Sequence, residues 1–289
     1  MIESYYRDHL LSRMVLTMRL ALWQTRGHAA DIAANLEALE SAAKRSQEAG
    51  AALLLCPECW LGGYNIGAEV TRIAEPAAGP AAARIAAIAR TRRLAIAYGY
   101  AERDAAGAVF NSVQVIGPEG LPLAHYRKTH LFGAQERACY QPGAGFAAPF
   151  EFAGLRIGLL ICYDVEYPES VRTLALMGAD LVLVPTALTD EYARVPDIIV
   201  PARSLENQIF VAYCNRAGVE NGMPFLGCSR ISGPDGHNLA SCANGEALLF
   251  ADIEPALRDA SAVLYPYRTD RRPELYGLVS RSGAASIGR

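Results

Sequence analysis

The chain has 289 residues, 52% of them hydrophobic and 20% charged. That balance excludes a disordered chain, and at this length roughly 75% of the unfolded surface can be buried without disulfide or metal staples. The 27 Lys and Arg against 30 Asp and Glu leave a net charge of −3, so no global basic field exists to hold nucleic acid or an anionic membrane.

No run reaches the ~20 apolar residues needed to span a bilayer. The N-terminus mixes charges of both signs around Glu3, Arg7 and Asp8 and has no long apolar stretch, so a secretory signal is not expected. The 7 cysteines are scattered and mostly lie inside apolar runs. They read as free thiols in a reducing compartment, with the cytoplasm as the expected location.

Residues 1–17 are polar and aperiodic and read as an N-terminal extension, with Met14 and Met18 as alternative starts. Residues 18–289 read as a single α/β domain with a C-terminal tail from about 265. Met18–Trp23 is a first strand. Asp31 caps a helix whose Ile32, Leu36, Leu39 and Ala43 share one face, and Gly50 stops it. Ala51–Cys56 is a strand apolar enough to be buried on both faces. A helix over Ala81–Arg93 and a strand over Leu94–Tyr100 follow. Val109–Ile116 and Leu121–Tyr126 flank Gly117-Pro118-Glu119-Gly120 as a hairpin. The second half repeats this rhythm. Leu155–Ile161 is a strand, Pro168 opens a helix that runs to Gly178, and Asp180–Val184 is a strand. Arg194–Asn207 is helical in its later part. Ile209–Tyr213, Phe225–Ile231 and Ala247–Asp252 are strands.

No phosphate-binding Gly-rich loop is present, and the 5 histidines form no His-x-x-x-His pair, so neither a metal nor another cofactor is expected. Cys56-Pro57-Glu58-Cys59 spells a C-x-x-C. Its setting, a Pro- and Gly-rich loop after a strand, lacks the helix N-terminus that activates a redox pair.

Three strand ends carry the chemistry. Gly158–Ile161 runs into Cys162, followed by Tyr163, Asp164 and the Pro168 helix; Leu53–Leu55 runs into Glu58; Tyr126-Arg127 runs into Lys128. Backbone N–H groups at such a turn can hold an oxyanion and favour a thiolate. Taken singly, each has a plainer reading: a small buried hydrophobe, a loop carboxylate facing water, a solvated lysine.

Together, Pro57-Glu58 with Gly63-Tyr64-Asn65, then Tyr126–Leu131, then Gly158–Pro168 resemble the nitrilase superfamily of carbon–nitrogen hydrolases over about residues 18–265. The resemblance implies a four-layer αββα sandwich, a homodimer or higher homo-oligomer, and a Glu–Lys–Cys triad. Glu58 is then the general base, Lys128 the cation that stabilises the oxyanion, and Cys162 the nucleophile. It also implies a second glutamate, Glu136, that positions the lysine and substrate. An amide carbonyl is a poor electrophile, so a thiolate and a preorganised positive site are both useful. The Tyr163 backbone N–H adds a donor to the oxyanion, and Tyr64 is expected to line the pocket.

Tyr163-Asp164 after the Cys resembles the amidase branches rather than true nitrilases, whose Cys is usually followed by Trp-Glu. Glu166 stands where amidases of carboxylate-bearing substrates usually carry Arg. It thereby offers a receptor for a cation, or else a surface salt bridge. The segment from Thr186 and Ala187 to Arg194 should border the pocket, with Asp190 and Glu191 either holding an amine or solvated. Gly63–Gly67, Tyr98–Arg103 and Asn111–Ile116 further resemble bacterial 5-aminopentanamidases, which convert 5-aminopentanamide to 5-aminopentanoate and ammonia. A stereoselective or broad-scope aliphatic amidase and an N-carbamoyl amine hydrolase would carry the same triad. A thiol-redox protein, an N-acyltransferase and a catalytically dead interaction protein are the readings from other classes. The expected partner is therefore a small-molecule amide.

Overall fold

The computed structural model describes residues 17–280. Of the extension expected over residues 1–17, residues 1–16 lie outside the described residues, as do the last nine positions of the tail, 281–289.

Strand β1 (Met18–Gln24) shows how the layers follow from the sequence. Met18, Leu20 and Leu22 pack into the core shared with a second sheet, while Ala21 and Trp23 pack with helix residues on the other face. A strand covered on both faces has to be apolar throughout, so its sequence shows a continuous run instead of alternation.

Among the described residues, β1 joins β2 (Leu53–Leu55), β3 (Ala95–Arg103), β4 (Val109–Ile116), β5 (Pro122–Arg127) and β14 (Ala247–Ile253) in a mixed sheet ordered β14-β1-β2-β3-β4-β5. A second sheet is built from β6 (Phe150–Phe152), β7 (Leu155–Leu159), β8 (Leu181–Thr186), β9 (Phe210–Asn215), β12 (Arg230–Ser232) and β13 (Asn238–Ser241), ordered β13-β12-β9-β8-β7-β6. β10 (Ala217–Glu220) and β11 (Met223–Leu226) form a separate antiparallel hairpin.

Helices α1 (Ile32–Glu48) and α3 (Pro80–Arg92) cover the outer face of the first sheet through Leu39, Ala42, Ala43, Ile85, Ile88 and Ala89. Asp31 caps α1 by accepting the Ala34 N–H at 3.0 Å. On the second sheet lie α5 (Pro168–Leu176) and α6 (Val200–Asn207), with Val171, Leu174, Ala175 and Val200 in the core. A Cβ on Gly158 would sit 2.9 Å from Leu174 Cδ1, so glycine lets α5 lie close on β7. The result is the four-layer αββα sandwich expected from the sequence.

Several local expectations are corrected. Phe225–Ile231 is not one strand. Gly227 and Cys228 take positive φ of 70° and 55°, which breaks the run into β11, paired with β10, and β12, paired with β9. The ordered ladder of Ala51–Cys56 shrinks to β2. Three helices absent from the sequence reading are present: α2 (Glu69–Ile73), α4 (Gly133–Cys139) and α7 (Pro255–Leu264), the last opening with Pro at N1. Residues 266–280 are mostly exposed turns around Pro273–Leu275.

Candidate active site

Glu58 lies just beyond β2, Lys128 directly follows β5, and Cys162 follows β7, so the ends of the two packed sheets deliver the three side chains to one place. The Glu58 loop is seated on β3. Cys56 N–H donates to the Ala97 carbonyl at 2.8 Å and Leu61 N–H to the Gly99 carbonyl at 3.1 Å. A Cβ on Gly99 would lie 2.6 Å from Cys59 N and 2.9 Å from Glu58 Cα. The absence of a side chain at residue 99 is therefore what allows the loop to approach.

Cys162 opens a short 3-10 turn, Cys162–Glu166, with φ of +48°, a left-handed conformation unusual for a non-glycine residue. Asp164, fully buried, holds this turn in place. Its Oδ2 accepts from Ile161 N–H at 3.1 Å and from Tyr126 OH at 2.9 Å, and its Oδ1 from Thr129 Oγ1 at 2.8 Å and His130 N–H at 2.9 Å. The turn of Cys162 is thus tied to the two residues that follow Lys128. The sequence showed Asp164 only as a neighbour of the cysteine, because its partners lie more than thirty residues away.

Lys128 is wholly buried and clasped by two carboxylates, Glu58 Oε1 and Glu136 Oε1, each at 2.7 Å. Glu58 Oε1 also accepts from Asn111 Nδ2 at 2.7 Å. Glu136 Oε1 accepts from Tyr64 OH at 2.7 Å, and its Oε2 from Phe132 N–H at 2.8 Å. Among the described residues Glu58 Oε2 is buried with no hydrogen-bond partner, which leaves one carboxylate oxygen free to take a proton.

The electrostatics follow from burial. Burial pushes the Glu58 carboxyl above the usual carboxylate range; Lys128 opposes that push and Glu136 adds to it. Burial would strip Lys128 of its charge, but Glu58 and Glu136 outweigh it and hold the ammonium charged. Cys162 is pushed well up, by burial first and then by Glu58, with Lys128 and the Ala187 backbone N–H pulling the other way. The resting arrangement is a neutral thiol beside a carboxylate and a fixed cation.

A cavity of about 550 Å³ opens on Cys162. Its lining includes Tyr64, Glu166 and Ala187, as expected. Tyr163 and Thr186 do not line it. The Tyr163 ring packs edge-on against Phe132 and Tyr167, with centroids 5.2 and 5.0 Å away, so only its backbone follows the nucleophile. Thr186 is fully buried beneath Glu58, its carbonyl accepting the Glu58 N–H at 3.4 Å and its hydroxyl donating to the Val184 carbonyl. Central strand β8 encloses it, so it supports the site from below.

The rest of the wall comes from Phe132, Gln135, Asp190, Glu191, Tyr192 and the tip of the β10–β11 hairpin at Asn221–Pro224. No sequence spacing links that hairpin to Tyr64. Glu166, Asp190 and Glu191 put three carboxylates in the lining, which among the described residues contains no Lys, Arg or His. Burial raises Glu166 against the pull of Lys128 and Arg203, and its side chain forms no ion pair among the described residues. Arg203 instead donates to the Glu166 carbonyl at 2.7 Å.

Cys56 and Cys59 are both buried free thiols pushed up by burial, the opposite of an activated redox pair. Among the described residues no cluster of metal-ligating side chains occurs, and no helix is long and apolar enough to cross a membrane.

A buried cysteine, a lysine clasped by two glutamates and an αββα sandwich define a carbon–nitrogen hydrolase. The chain belongs to the carbon–nitrogen hydrolase family of the nitrilase superfamily, which it matches over residues 19–262. It is 44% identical to a hydrolase encoded in the pqqF 5' region of Pseudomonas protegens, covering 92% of this chain and 93% of that one. It is 36% identical to an (R)-stereoselective amidase of Pseudomonas sp., covering 90% and 93%. Among solved structures, an amidase from Nesterenkonia sp. superposes with a TM-score of 0.82 at 36% identity, covering 92% and 97%. A mutant of the amidase from Nesterenkonia sp. AN1, with a TM-score of 0.79, 36% identity and coverage of 90% and 95%, shows covalent addition of the acetamide moiety of fluoroacetamide at its active site cysteine.

Proposed function

We propose that the protein is a cysteine-dependent amidase that hydrolyses a small aliphatic primary amide to a carboxylate and ammonia, and that its preferred substrate carries an amine tail, with 5-aminopentanamide as the best candidate. The amidase reading rests on the free Glu58 oxygen and the doubly clasped Lys128 beside a buried Cys162. It is supported by the (R)-stereoselective amidase and by Nesterenkonia amidase structures with acrylamide and butyramide. The observation that carries the amine tail is a lining with three carboxylates and no cationic side chain. Such a cavity attracts an ammonium group and repels an ω-amido acid.

In the proposed reaction Glu58 takes the Cys162 thiol proton as sulfur attacks the amide carbon. Lys128 and the Tyr163 N–H stabilise the developing oxyanion; one such donor is worth about 3 kcal/mol in the transition state. Glu58 returns the proton to the leaving nitrogen, ammonia departs, and a thioester remains. Glu58 then deprotonates a water that attacks the thioester. The hydroxide joins the acyl carbon, and the proton goes back to sulfur. Glu136 holds Lys128, Tyr64 holds Glu136 through its hydroxyl and borders the substrate, and Glu166 faces the amine.

The test is ammonia release from 5-aminopentanamide, an uncharged amide of equal length, an ω-amido acid, an N-carbamoyl amine and a matched nitrile, with Cys162→Ala as control. Expected are preference for the amino-amide, loss of that preference in Glu166→Gln, and no release by folded Cys162→Ala. Equal rates on charged and uncharged amides would leave the cysteine amidase and remove the amine receptor, giving the broad aliphatic scope that the acrylamide and butyramide complexes of the Nesterenkonia enzyme favour. Release by Cys162→Ala would overturn the nucleophile assignment. A homodimeric assembly and a cytoplasmic location are carried as proposals from the resemblance; sedimentation of the purified protein tests the first.

A further inference from the structure

The loop that carries Tyr64 is held by an ion pair that takes no part in the reaction. Arg216, at the β9–β10 junction, and Glu220, at the end of β10, are both buried and joined through Arg216 Nη2 and Glu220 Oε2. The pair reaches two sides of the site. Arg216 Nη1 donates to the Glu58 carbonyl at 3.5 Å, and Nη2 donates to the Arg26 carbonyl. On the other side Glu220 Oε1 accepts the backbone N–H groups of Tyr64, at 2.7 Å, and of Asn65. Asn65 Nδ2 donates to the Glu220 carbonyl at 3.3 Å, and Asn221 Nδ2 to the Asn65 carbonyl at 2.9 Å. Gly63 has φ of +110°, and a Cβ there would lie 2.9 Å from Glu220 Oε2, so the chain passes the carboxylate at a distance that only glycine permits.

From this seat Tyr64 extends its hydroxyl to Glu136 Oε1, the oxygen that also holds Lys128. A buried pair of this kind is poor evidence for stability, because desolvation of both ions offsets their attraction. It does fix geometry, since each remaining hydrogen-bonding position of the carboxylate is directed at a named backbone group.

We propose that Arg216 and Glu220 are positioning residues for catalysis. They set the Tyr64 hydroxyl on Glu136, and through Glu136 they set the depth of Lys128 beneath the substrate carbonyl, while the same pair anchors the backbone of Glu58. The pair touches neither substrate nor sulfur, so its effect belongs in the chemical step. A displacement of about 1 Å at a catalytic group is enough to cost roughly 100-fold in rate.

The experiment is a double-mutant cycle on kcat and KM with Glu220→Gln, Tyr64→Phe and the double variant. It uses any amide the unaltered enzyme hydrolyses, so it does not depend on the amine-tailed substrate. Gln at residue 220 keeps an acceptor for the loop but leaves Arg216 unneutralised. Expected is a loss in kcat of about 100-fold for Glu220→Gln with KM changed far less, and about tenfold for Tyr64→Phe. In the Tyr64→Phe background Glu220→Gln should cost about tenfold instead of about 100-fold, because the part of its effect that runs through the Tyr64 hydroxyl is already lost and only the part through the Glu58 backbone remains. Losses that multiply, or a Glu220→Gln enzyme with unchanged kcat, would overturn the proposal. Should Glu220→Gln not accumulate as folded protein, Glu220→Asp is read in the same cycle. It keeps the charge and withdraws the carboxylate by one methylene, and a KM effect without a kcat effect there equally overturns it.

Discussion

Glu58 and Lys128 form a fully buried ion pair at 2.7 Å, and that burial bears on how activity responds to pH. A base must be ionised to accept the thiol proton. In the proposed reaction Glu58 is that base, and since burial raises its carboxyl above the ordinary glutamate value of 4.5, activity is expected to fall as pH drops through that raised value. The acid limb of kcat/KM is therefore expected above pH 4.5, as an apparent value of the coupled carboxylates, lysine and thiol taken together. A pH–rate profile on a neutral amide measures it; an acid limb at or below 4.5 would place the base elsewhere. A Lys128→Met substitution would remove the cation that opposes burial and push Glu58 higher still, so the base is best tested by the isosteric Glu58→Gln.

Most elements meet the site through their ends, whereas β3 meets it through its middle, at Gly99. Gly99 lies against the backbone of Pro57, Glu58 and Cys59. Gly99→Ala puts a methyl group where the loop already runs, so the loop has to shift and carry Glu58 with it. Overpacking of this kind typically costs about 1–3 kcal/mol of stability. The loss in kcat should exceed what the fall in stability explains, because residual folded protein still has a displaced base. Thermal denaturation and kcat measured on the same sample separate the two, and normal turnover by folded Gly99→Ala would show that Glu58 tolerates the shift. The turn holding Cys162 depends on Asp164 in the same manner, its left-handed conformation being held by bonds from elements of both sheets.

Over the whole molecule, the acid response is expected to be dominated by a second buried carboxylate far from the sulfur chemistry. Glu102 on β3 is buried, which alone would raise it. Hydrogen bonds from His125 at 2.7 Å, Arg127 at 2.6 Å and Ser112 at 2.6 Å outweigh burial and lower it to about 2. Arg127 also stacks 3.9 Å over the Phe110 ring. A carboxyl lowered on folding contributes stability that is present above its unfolded value and lost as pH falls through the window from 4.5 to about 2. We expect Glu102→Gln to remove about 1 kcal/mol of the difference in stability between pH 6 and pH 3, solvent screening reducing an upper value of about 2 kcal/mol. Urea denaturation at the two pH values checks this, and an unchanged difference would assign the acid sensitivity to other carboxylates. The network joins β3, β4 and β5, so its loss loosens the strand that presents Lys128.

The sequence by itself showed a mixed α/β domain and offered Glu58, Lys128 and Cys162 as strand-end candidates; their grouping into a triad, like the four-layer sandwich, was implied by the resemblance of the motifs taken together. A strand buried on both faces is apolar along most of its length, so Glu58 and Cys162, just beyond the buried runs of β2 and β7, stand out against them, whereas Lys128 follows the partly exposed β5 and has no such contrast. Glu166 was legible because it breaks a local motif beside the cysteine. What only the tertiary structure decided lies at long sequence separation. Asp164 meets Thr129 and His130, Glu220 meets Tyr64, and the β10–β11 tip meets the cavity wall. Neither propensity nor spacing encodes such pairings. The same limit explains Tyr163 and Thr186: both are close to the site in sequence, but the turn after Cys162 and the burial of β8 direct their side chains out of the cavity. Whether a side chain near the nucleophile faces the substrate depends on local backbone angles and on which neighbours occupy the space, and those are fixed when the two sheets close on one another.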